Sequence, residues 1–256
     1  MKKLIAFMAI ALFSMTSAFA AHTFDGTFNF SGSTFVSNNP LPLSVQSGFS
    51  AQYIELDEAS GNIWIACGGT GNPDAAHVFT TAGAKASFSP ITLGKTSLGT
   101  DTNLRQTSGI GIDRSVTPHV AYVVSEAGAG TGNISKYNAQ TGAALGGIDS
   151  TSGNWLTVGR VGDIQFDNAG RLWVVQKVGG KVFQLDKATG IAMNSGNPIV
   201  TGLGGVTRGM GVAPDGNTIY VASESFDVIF KLTGDASSIT STSNVTYSVA
   251  TLGTPF

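Results

Sequence analysis

The chain has 256 residues, of which 34 are glycine and 12% are charged, and its formal net charge is −2. Soluble domains carry roughly 25% charged residues and about 7% glycine, so a charge deficit is combined here with a glycine excess. Hydrophobic residues make up 42% of the chain, which excludes global disorder, and the lack of a cationic excess argues against a nucleic-acid partner. This composition is typical of a folded, turn-rich β protein.

Residues 1–20 have the three-part pattern of a secretory signal peptide. Lys2 and Lys3 precede the apolar run 4–13, and residues 18–20 (Ala-Phe-Ala) supply the small-x-small pattern that signal peptidase accepts. The apolar run is too short to cross a bilayer core of about 30 Å as a helix. We predict cleavage after Ala20, a secreted or periplasmic location, and a mature domain over 21–256 with no membrane span. A retained N-terminal anchor is the alternative.

One pattern then occurs four times: an apolar strand, a turn rich in Asp, Asn and Gly, and a second apolar strand. Asp and Asn side chains bond the local backbone and Gly accepts positive φ, so such turns join strands into hairpins. The first strands are anchored at Ile54, Ile110, Ile164 and Met210, which are 56, 54 and 46 residues apart. The second strands are predicted over 63–66, 120–124, 171–175 and 218–222.

A third strand that ends at a Gly turn follows each hairpin, and a weaker fourth strand comes after it, as at 89–93. The third strands are predicted over 77–79, 133–137, 181–185 and 228–232. Repeats of roughly 40–50 residues with four strands are typical of β-propeller blades. We therefore predict an all-β protein, a β-propeller of four-stranded blades with clear repeats over about 48–235. A β-sandwich built from hairpins is the alternative.

The sequence leaves the number of blades open. Residues 21–47 and 243–256 contain further strand-like segments, such as 23–31 and 244–252. These segments could form a fifth blade from the joined termini. Alternatively, the four repeats are a truncated part of a six- or seven-bladed ring, because 251–254 resembles 91–94, the segment that leads into the next blade.

The unit φ-x-φ-D-x-x-G-x-φ-W/Y-φ, where φ is apolar, resembles the blade motif of secreted or periplasmic propellers of the NHL, YncE and SMP-30 type. It is found at 54–65, 164–174 and 210–221. The resemblance implies a propeller fold that hosts scaffolds, sugar-lactone hydrolases and lyases. In the lactonase branch a divalent metal on the axis is held by Glu, Asn and Asp, which implies Glu55 as the one metal-ligand candidate. From the residues alone, Glu55 could equally accept hydrogen bonds near its strand end.

The segments that lead into the innermost strands are predicted to line one mouth of the central channel. They contribute seven polar residues: Gln52, Tyr53, Arg105, Gln106, Arg160, Asp163 and Arg208. The three arginines fall at corresponding places in three blades. Guanidinium groups bind carboxylates through paired hydrogen bonds, so this set predicts a site for a small anionic or sugar-like ligand. Alternatively, each arginine pairs with a local acid such as Asp163 and fastens neighbouring blades.

Catalytic motifs are absent from the sequence. The three histidines, His22, His77 and His119, have no metal-ligand spacing around them, and no nucleophile elbow or phosphate loop is found. We predict a secreted, non-catalytic binding or scaffold protein without a cofactor, whose partner is a protein or a small molecule. The alternative is a metal-dependent hydrolase or lyase of the SMP-30/gluconolactonase or streptogramin-lyase type, which would need a divalent metal such as calcium.

Overall fold

A computed structural model describes residues 49–69, 75–95, 101–104, 107–127, 131–149 and 160–252. In this part of the chain the regular elements are strands, apart from two single-turn 3-10 helices at Asn194–Gly196 and Ala236–Ser238. None of the described segments forms a helix with the length and apolarity that a membrane crossing requires.

Sixteen strands, all paired antiparallel, form four blades and one short ribbon. Blade 1 comprises β1 (Phe49–Asp57), β2 (Asn62–Gly69) and β3 (Ala75–Thr80), and the ribbon comprises β4 (Leu93–Lys95) and β5 (Asp101–Asn103). Blade 2 comprises β6 (Thr107–Asp113), β7 (Val120–Ala127), β8 (Thr131–Asn138) and β9 (Ala144–Asp149). Blade 3 comprises β10 (Val161–Phe166), β11 (Leu172–Gln176) and β12 (Val182–Leu185). Blade 4 comprises β13 (Thr207–Val212), β14 (Thr218–Ser223), β15 (Val228–Thr233) and β16 (Ser248–Thr251).

The blades stack on one another through their innermost strands. Strand β1 contacts β6, β6 contacts β10, and β10 contacts β13. Each of the three joints contains its own apolar cluster, formed by the facing sheets of two consecutive blades. Four-stranded units that meet in sequence order along their first strands are the architecture of a β-propeller. The predicted fold class is confirmed, and the sandwich alternative is wrong.

The predicted hairpins form in the structure. Ile54 pairs with Ile65 in blade 1, and Met210 pairs with Val221 in blade 4. Four-stranded sheets form only in blades 2 and 4 among the described residues. In blades 1 and 3 the fourth segment contributes isolated bridges, such as Ala76 to Ile91. Both segments carry a proline, Pro90 or Pro198, which cannot donate to a ladder.

The end of the described chain corrects one prediction. In one of the two alternatives for the blade number, residues 244–252 supply part of a fifth blade, but β16 pairs with β15 and completes blade 4. The other segment proposed for a fifth blade, 21–47, lies outside the described residues.

In blades 1 to 3, the aromatic residue at the W/Y position of the motif lies on the second strand and packs in the joint to the following blade. Trp64 and Trp173 are fully buried, and Tyr122 is 4% exposed. The ring centroid of Trp64 lies 6.1 Å from that of Tyr137 in blade 2, and the ring centroid of Tyr122 lies 4.8 Å from that of Phe166 in blade 3. The equivalent residue of blade 4, Tyr220, is 42% exposed. The W/Y position of the motif is therefore an inter-blade packing position.

Candidate functional site

Each innermost strand contains a β-bulge at the same position near its start. The register shifts lie between 51 and 53, 107 and 109, 161 and 163, and 207 and 209. The extra residues are Gln52, Ser108, Gly162 and Arg208. Bulges redirect side chains and are frequent beside functional sites. These four residues mark the end of the innermost strands at which the sequence predicted the channel mouth.

The bulges show that the predicted arginines are not at equivalent positions. Arg208 is itself a bulge residue and corresponds to Gln52, whereas Arg160 lies two residues before the bulge residue Gly162. Arg160 and Arg208 therefore do not occupy equivalent positions, because Arg160 lies outside its strand and Arg208 lies within its own. Arg105 and Gln106 lie outside the described residues.

Two of the predicted mouth residues, Tyr53 and Asp163, are brought together. The Tyr53 hydroxyl donates a 2.6 Å hydrogen bond to the carbonyl of Gly162, which links blade 1 to blade 3. Gly109 lets β6 of the intervening blade approach β10, since a Cβ built there would lie 3.2 Å from Asp163 Cα. The Tyr53 side chain therefore reaches past blade 2 to the main chain of blade 3.

Asp163 has a structural partner that the sequence did not indicate. Its Oδ1 accepts a 2.8 Å hydrogen bond from the Ile164 amide, and its Oδ2 accepts one of 2.8 Å from the Met210 amide. The carboxyl group therefore fastens β10 to β13. Burial raises the pKa of Asp163 well above its usual range, the two amide bonds lower it, and the charge of Glu55 raises it further.

The raised pKa of Asp163 predicts a pH-dependent stability. Between the usual carboxyl range near pH ~4 and the raised value, the folded protein keeps a proton that the unfolded chain releases. The free energy of unfolding then falls as pH rises. Because Asp163→Asn cannot titrate, the stability advantage of the wild type over this variant should be largest in acid and shrink toward neutrality. Chemical denaturation at a series of pH values measures it, and a constant difference would contradict the prediction.

Glu55, the metal-ligand candidate, binds a cation of the protein itself. Its Oε2 lies 3.0 Å from Nη2 of Arg114 in blade 2, and Arg114 Nε also donates to Glu58 at 2.7 Å. The hydrogen bond from Arg114 lowers the pKa of Glu58. Within the described ranges, no group of three or more His, Cys, Asp or Glu side chains is placed to hold a metal ion. The position observed for Glu55 is that of an inter-blade ion pair.

The structure adds Lys177 to the predicted basic residues of the mouth. Its amide donates to the Arg160 carbonyl at 2.6 Å, and its carbonyl accepts from the Thr207 amide at 3.0 Å. Arg208 follows Thr207 directly in the chain, so the main chains of three basic residues from blades 3 and 4 lie close together. Sequence reasoning missed Lys177 because it considered only the segments that precede the innermost strands. The end of β11 returns to the same end of the blade, since adjacent strands are antiparallel.

Exposed apolar side chains occur in the segments that adjoin this basic cluster: Val178 follows Lys177, and Phe226 follows the segment that bonds to Val206. Val178 and Phe226 are each 55% exposed. Val178 forms a bridge with Val206, and the Val206 carbonyl accepts from the Glu224 amide at 2.9 Å. Glu224 therefore brings one acid to the cluster. We define the rim surface as Arg160, Lys177, Arg208, Val178 and Phe226.

At the opposite end of the innermost strands, aspartates tie each blade to the next. Asp57 and Asp113 are buried. Asp57 Oδ1 lies 2.5 Å from Nδ1 of His119 in blade 2. Asp113 Oδ2 accepts from Nζ of Lys187 in blade 3 at 2.6 Å. The motif Asp, which the sequence explained by turn chemistry, is thus also an inter-blade acceptor.

Asp167 forms the third of these links. Its Oδ2 accepts from Arg171 Nε at 2.6 Å and from Trp173 Nε1 at 3.0 Å. Arg171 in turn donates from Nη2 to the carbonyl of Asp215 in blade 4 at 2.6 Å. Blade 4 has Ala213 at the motif position. The buried motif carboxylates of the described blades are therefore engaged in holding blades together.

Comparison with known proteins extends the description of the fold only. No protein-family model matches the chain, and neither does any curated protein. Among solved structures, the Dos1 propeller is 11% identical, with 72% of this chain and 44% of that chain covered and a TM-score of 0.43. A 6-phosphogluconolactonase-like protein of Bacteroides fragilis is 17% identical, with 81% and 55% covered and a TM-score of 0.44.

A third similar structure is a luciferin-regenerating enzyme, at 12% identity, with 80% of this chain and 67% of that chain covered and a TM-score of 0.49. The chain spans about half the length of the first two structures. These identities and TM-scores carry no inference about activity.

Proposed function

We propose that the chain is an exported, non-catalytic binding propeller, of the NHL, YncE and SMP-30 type, that holds a small anionic, sugar-like ligand on the rim surface. One observation supports this proposal: the main-chain bonds of Lys177 to Arg160 and Thr207 bring the backbone of Arg160, Lys177 and the residue after Thr207, Arg208, close together. Export rests on the signal pattern of residues 1–20.

The ligand class follows from the two kinds of side chain on the rim surface. Guanidinium and ammonium groups bind a carboxylate through charge-assisted hydrogen bonds. An exposed aromatic ring such as Phe226 offers an apolar platform beside those polar groups, the combination that small-molecule sites use. A sugar carrying a carboxylate satisfies both, since it has an anionic group and an apolar ring face.

A non-catalytic role is supported by the use of the buried motif carboxylates. Asp57, Asp113 and Asp167 hold cations or donors of the same or the next blade, and Asp163 accepts two main-chain amides. General acid–base chemistry is performed most often by His, Glu or Asp, and less often by Lys, Tyr or Cys, placed within reach of the substrate. These four carboxylates have structural partners instead.

Calorimetric titration with D-glucuronate tests the proposal, with D-glucose as the neutral ligand of the same ring shape. We expect glucuronate to bind more tightly than glucose, and Arg160→Ala and Lys177→Ala each to weaken its binding about tenfold, the effect of losing one charge-assisted hydrogen bond of ~1.4 kcal/mol. The matched control is Lys85→Ala, which removes an exposed cation from blade 1. Equal binding of the two sugars, or equal loss in the control, would refute the site.

The metal-dependent alternative predicts a different titration. It requires the chain to bind calcium, and it requires that binding to be lost in Glu55→Gln. The binding proposal instead expects glucuronate affinity to be the same with calcium and with a chelator.

A further inference from the structure

The joint between blades 2 and 3 differs from the other two joints in what covers the turn glycine of the following blade. A glycine follows the third strand of each of these blades: Gly142 in blade 2, Gly190 in blade 3 and Gly234 in blade 4. A Cβ built on Gly142 would meet the Phe88 ring, and one built on Gly234 would meet the Tyr247 ring. A Cβ built on Gly190 would meet only the aliphatic side chain of Ile148 within 4 Å.

The two rings also pack against the motif tryptophans of their joints. The ring centroids lie 6.1 Å apart in the pair Phe88 and Trp64, and 6.1 Å apart in the pair Tyr247 and Trp173. The motif aromatic of the joint between blades 2 and 3 instead packs on a ring of the innermost strand of blade 3. Among the described residues, no aromatic side chain therefore lies against the turn glycine of blade 3.

A cavity of about 400 Å³ adjoins this turn. It is lined by Lys136 of β8, by residues 145–148 of β9, and by Ala188 and Thr189 of the turn. The lining includes Ile148, so the cavity lies where an aromatic side chain is packed in the other two joints. Its volume falls within the range of small-molecule sites, about 300–1,000 Å³.

A β-bulge in β9 keeps the cavity open. Leu145 and Gly146 of β9 both oppose the single residue Lys136 of β8. Gly146 has a φ of 92°, a conformation that disfavours any residue with a side chain, and a Cβ built there would meet nothing within 4 Å. Leu145, which is 48% exposed, supplies an apolar wall. Bulges of this kind are frequent beside functional sites.

Lys136 supplies the charge of the cavity. It is half-buried, and the ion pairs of the described residues do not include it, whereas Lys187 of the adjoining turn is paired with Asp113. The acid of that turn, Asp186, accepts three hydrogen bonds from donors of its own turn through Oδ1. A partly desolvated ammonium group next to an apolar cavity favours a ligand that carries a carboxylate.

We propose that this cavity binds a small aromatic carboxylate. Its ring takes the place that Phe88 and Tyr247 hold in the other two joints, and its carboxylate pairs with Lys136. The cavity lies at the outer strands β8 and β9, whereas the rim surface lies where the innermost strands begin. The inference is therefore independent of the proposed function.

Calorimetric titration with 2-naphthoate tests the proposal, with 2-naphthamide as the uncharged ligand of the same shape and acetate as the charge without a ring. We expect 2-naphthoate to bind about tenfold more tightly than either. Lys136→Met retains the aliphatic stem and removes the charge, so it should weaken 2-naphthoate binding about tenfold. The matched control is Lys231→Met, because Lys231 opposes Tyr220 in blade 4 as Lys136 opposes Tyr122 in blade 2.

A second pair of variants tests the cavity itself. Ala188→Phe places a ring at an exposed position of the cavity wall, so it should abolish 2-naphthoate binding. Gln140→Phe makes the same change at the equivalent turn position of blade 2, where the Gln140 amide donates to Asn138 as the Ala188 amide donates to Asp186. This control should bind like the wild type, and circular dichroism reports whether each variant is folded.

Three results would overturn the proposal. The first is a wild type that does not bind 2-naphthoate, and the second is equal binding of 2-naphthoate and 2-naphthamide. The third is a loss of binding in either control variant as large as that in its cavity counterpart.

Discussion

Trp173→Ala is expected to lower the free energy of unfolding by about 3–5 kcal/mol, the range measured for large aromatic residues removed from protein cores. The indole is fully buried between blades 3 and 4, its centroid lies 6.1 Å from that of Tyr247, and its Nε1 donates to Asp167. The substitution removes all three contributions at once. Denaturant titration followed by circular dichroism measures the loss.

The matched control for Trp173 is Tyr220→Ala, at the same motif position of blade 4. Because Tyr220 is partly exposed, its removal should change the free energy of unfolding by about 1 kcal/mol or less, toward the surface-substitution range. Equal losses at the two positions would show that the aromatic does not act through the joint to the following blade.

Asp167→Ala is expected to cost about 2–4 kcal/mol, because it leaves a buried indole N–H without its acceptor and separates a partly buried ion pair. Asp167 is fully buried at its side chain, and its partner Arg171 is 23% exposed, so water can solvate the guanidinium and keep the loss below that of a fully buried pair. Asp167 Oδ1 also accepts from the Ala169 and Arg171 amides.

Two further variants separate the contributions of Asp167. Asp167→Asn retains one acceptor oxygen for the turn amides but removes the charge, so its cost should lie between zero and that of the alanine variant. Asp215→Ala changes the exposed turn aspartate of blade 4, which accepts from the Asn217 amide, and should stay within about 0.5 kcal/mol of the wild type. A cost for Asp215→Ala as large as that for Asp167→Ala would contradict the inter-blade role.

The strands could be predicted because their determinants are local. Alternating apolar residues and Asp/Asn/Gly turns fix the hairpins, as the pairing of Ile54 with Ile65 shows. The weak fourth strands could not be predicted equally well. Their pairing depends on whether a proline such as Pro90 or Pro198 interrupts the outermost segment. Residues 89–93 were predicted to form a strand, but this segment makes only isolated bridges to its neighbour.

The site was less accessible from sequence because it depends on contacts between blades. Asp163 was predicted as a ligand-binding residue of the mouth, with an arginine partner as the alternative, yet its oxygens accept the amides of Ile164 and Met210. Met210 is distant in the chain. Lys177 joins Arg160 only through the antiparallel return of β11. Arg208 and Arg160 were placed at corresponding positions because both precede an innermost strand in the sequence pattern, whereas the pairing puts Arg208 inside β13 and Arg160 before β10.

The repeated bulge separates each innermost strand into two segments with different constraints. In a regular strand, inserting or deleting one residue exchanges the two faces of everything that follows. Here the extra residue of each bulge, at 52, 108, 162 and 208, precedes the anchor residue of the same strand. Insertions and deletions upstream of each bulge therefore leave Ile54, Ile110, Ile164 and Met210 on their own faces. The loops leading into the blades can diverge in length and composition, and so acquire new specificities, without any change in the packing of the propeller beneath them.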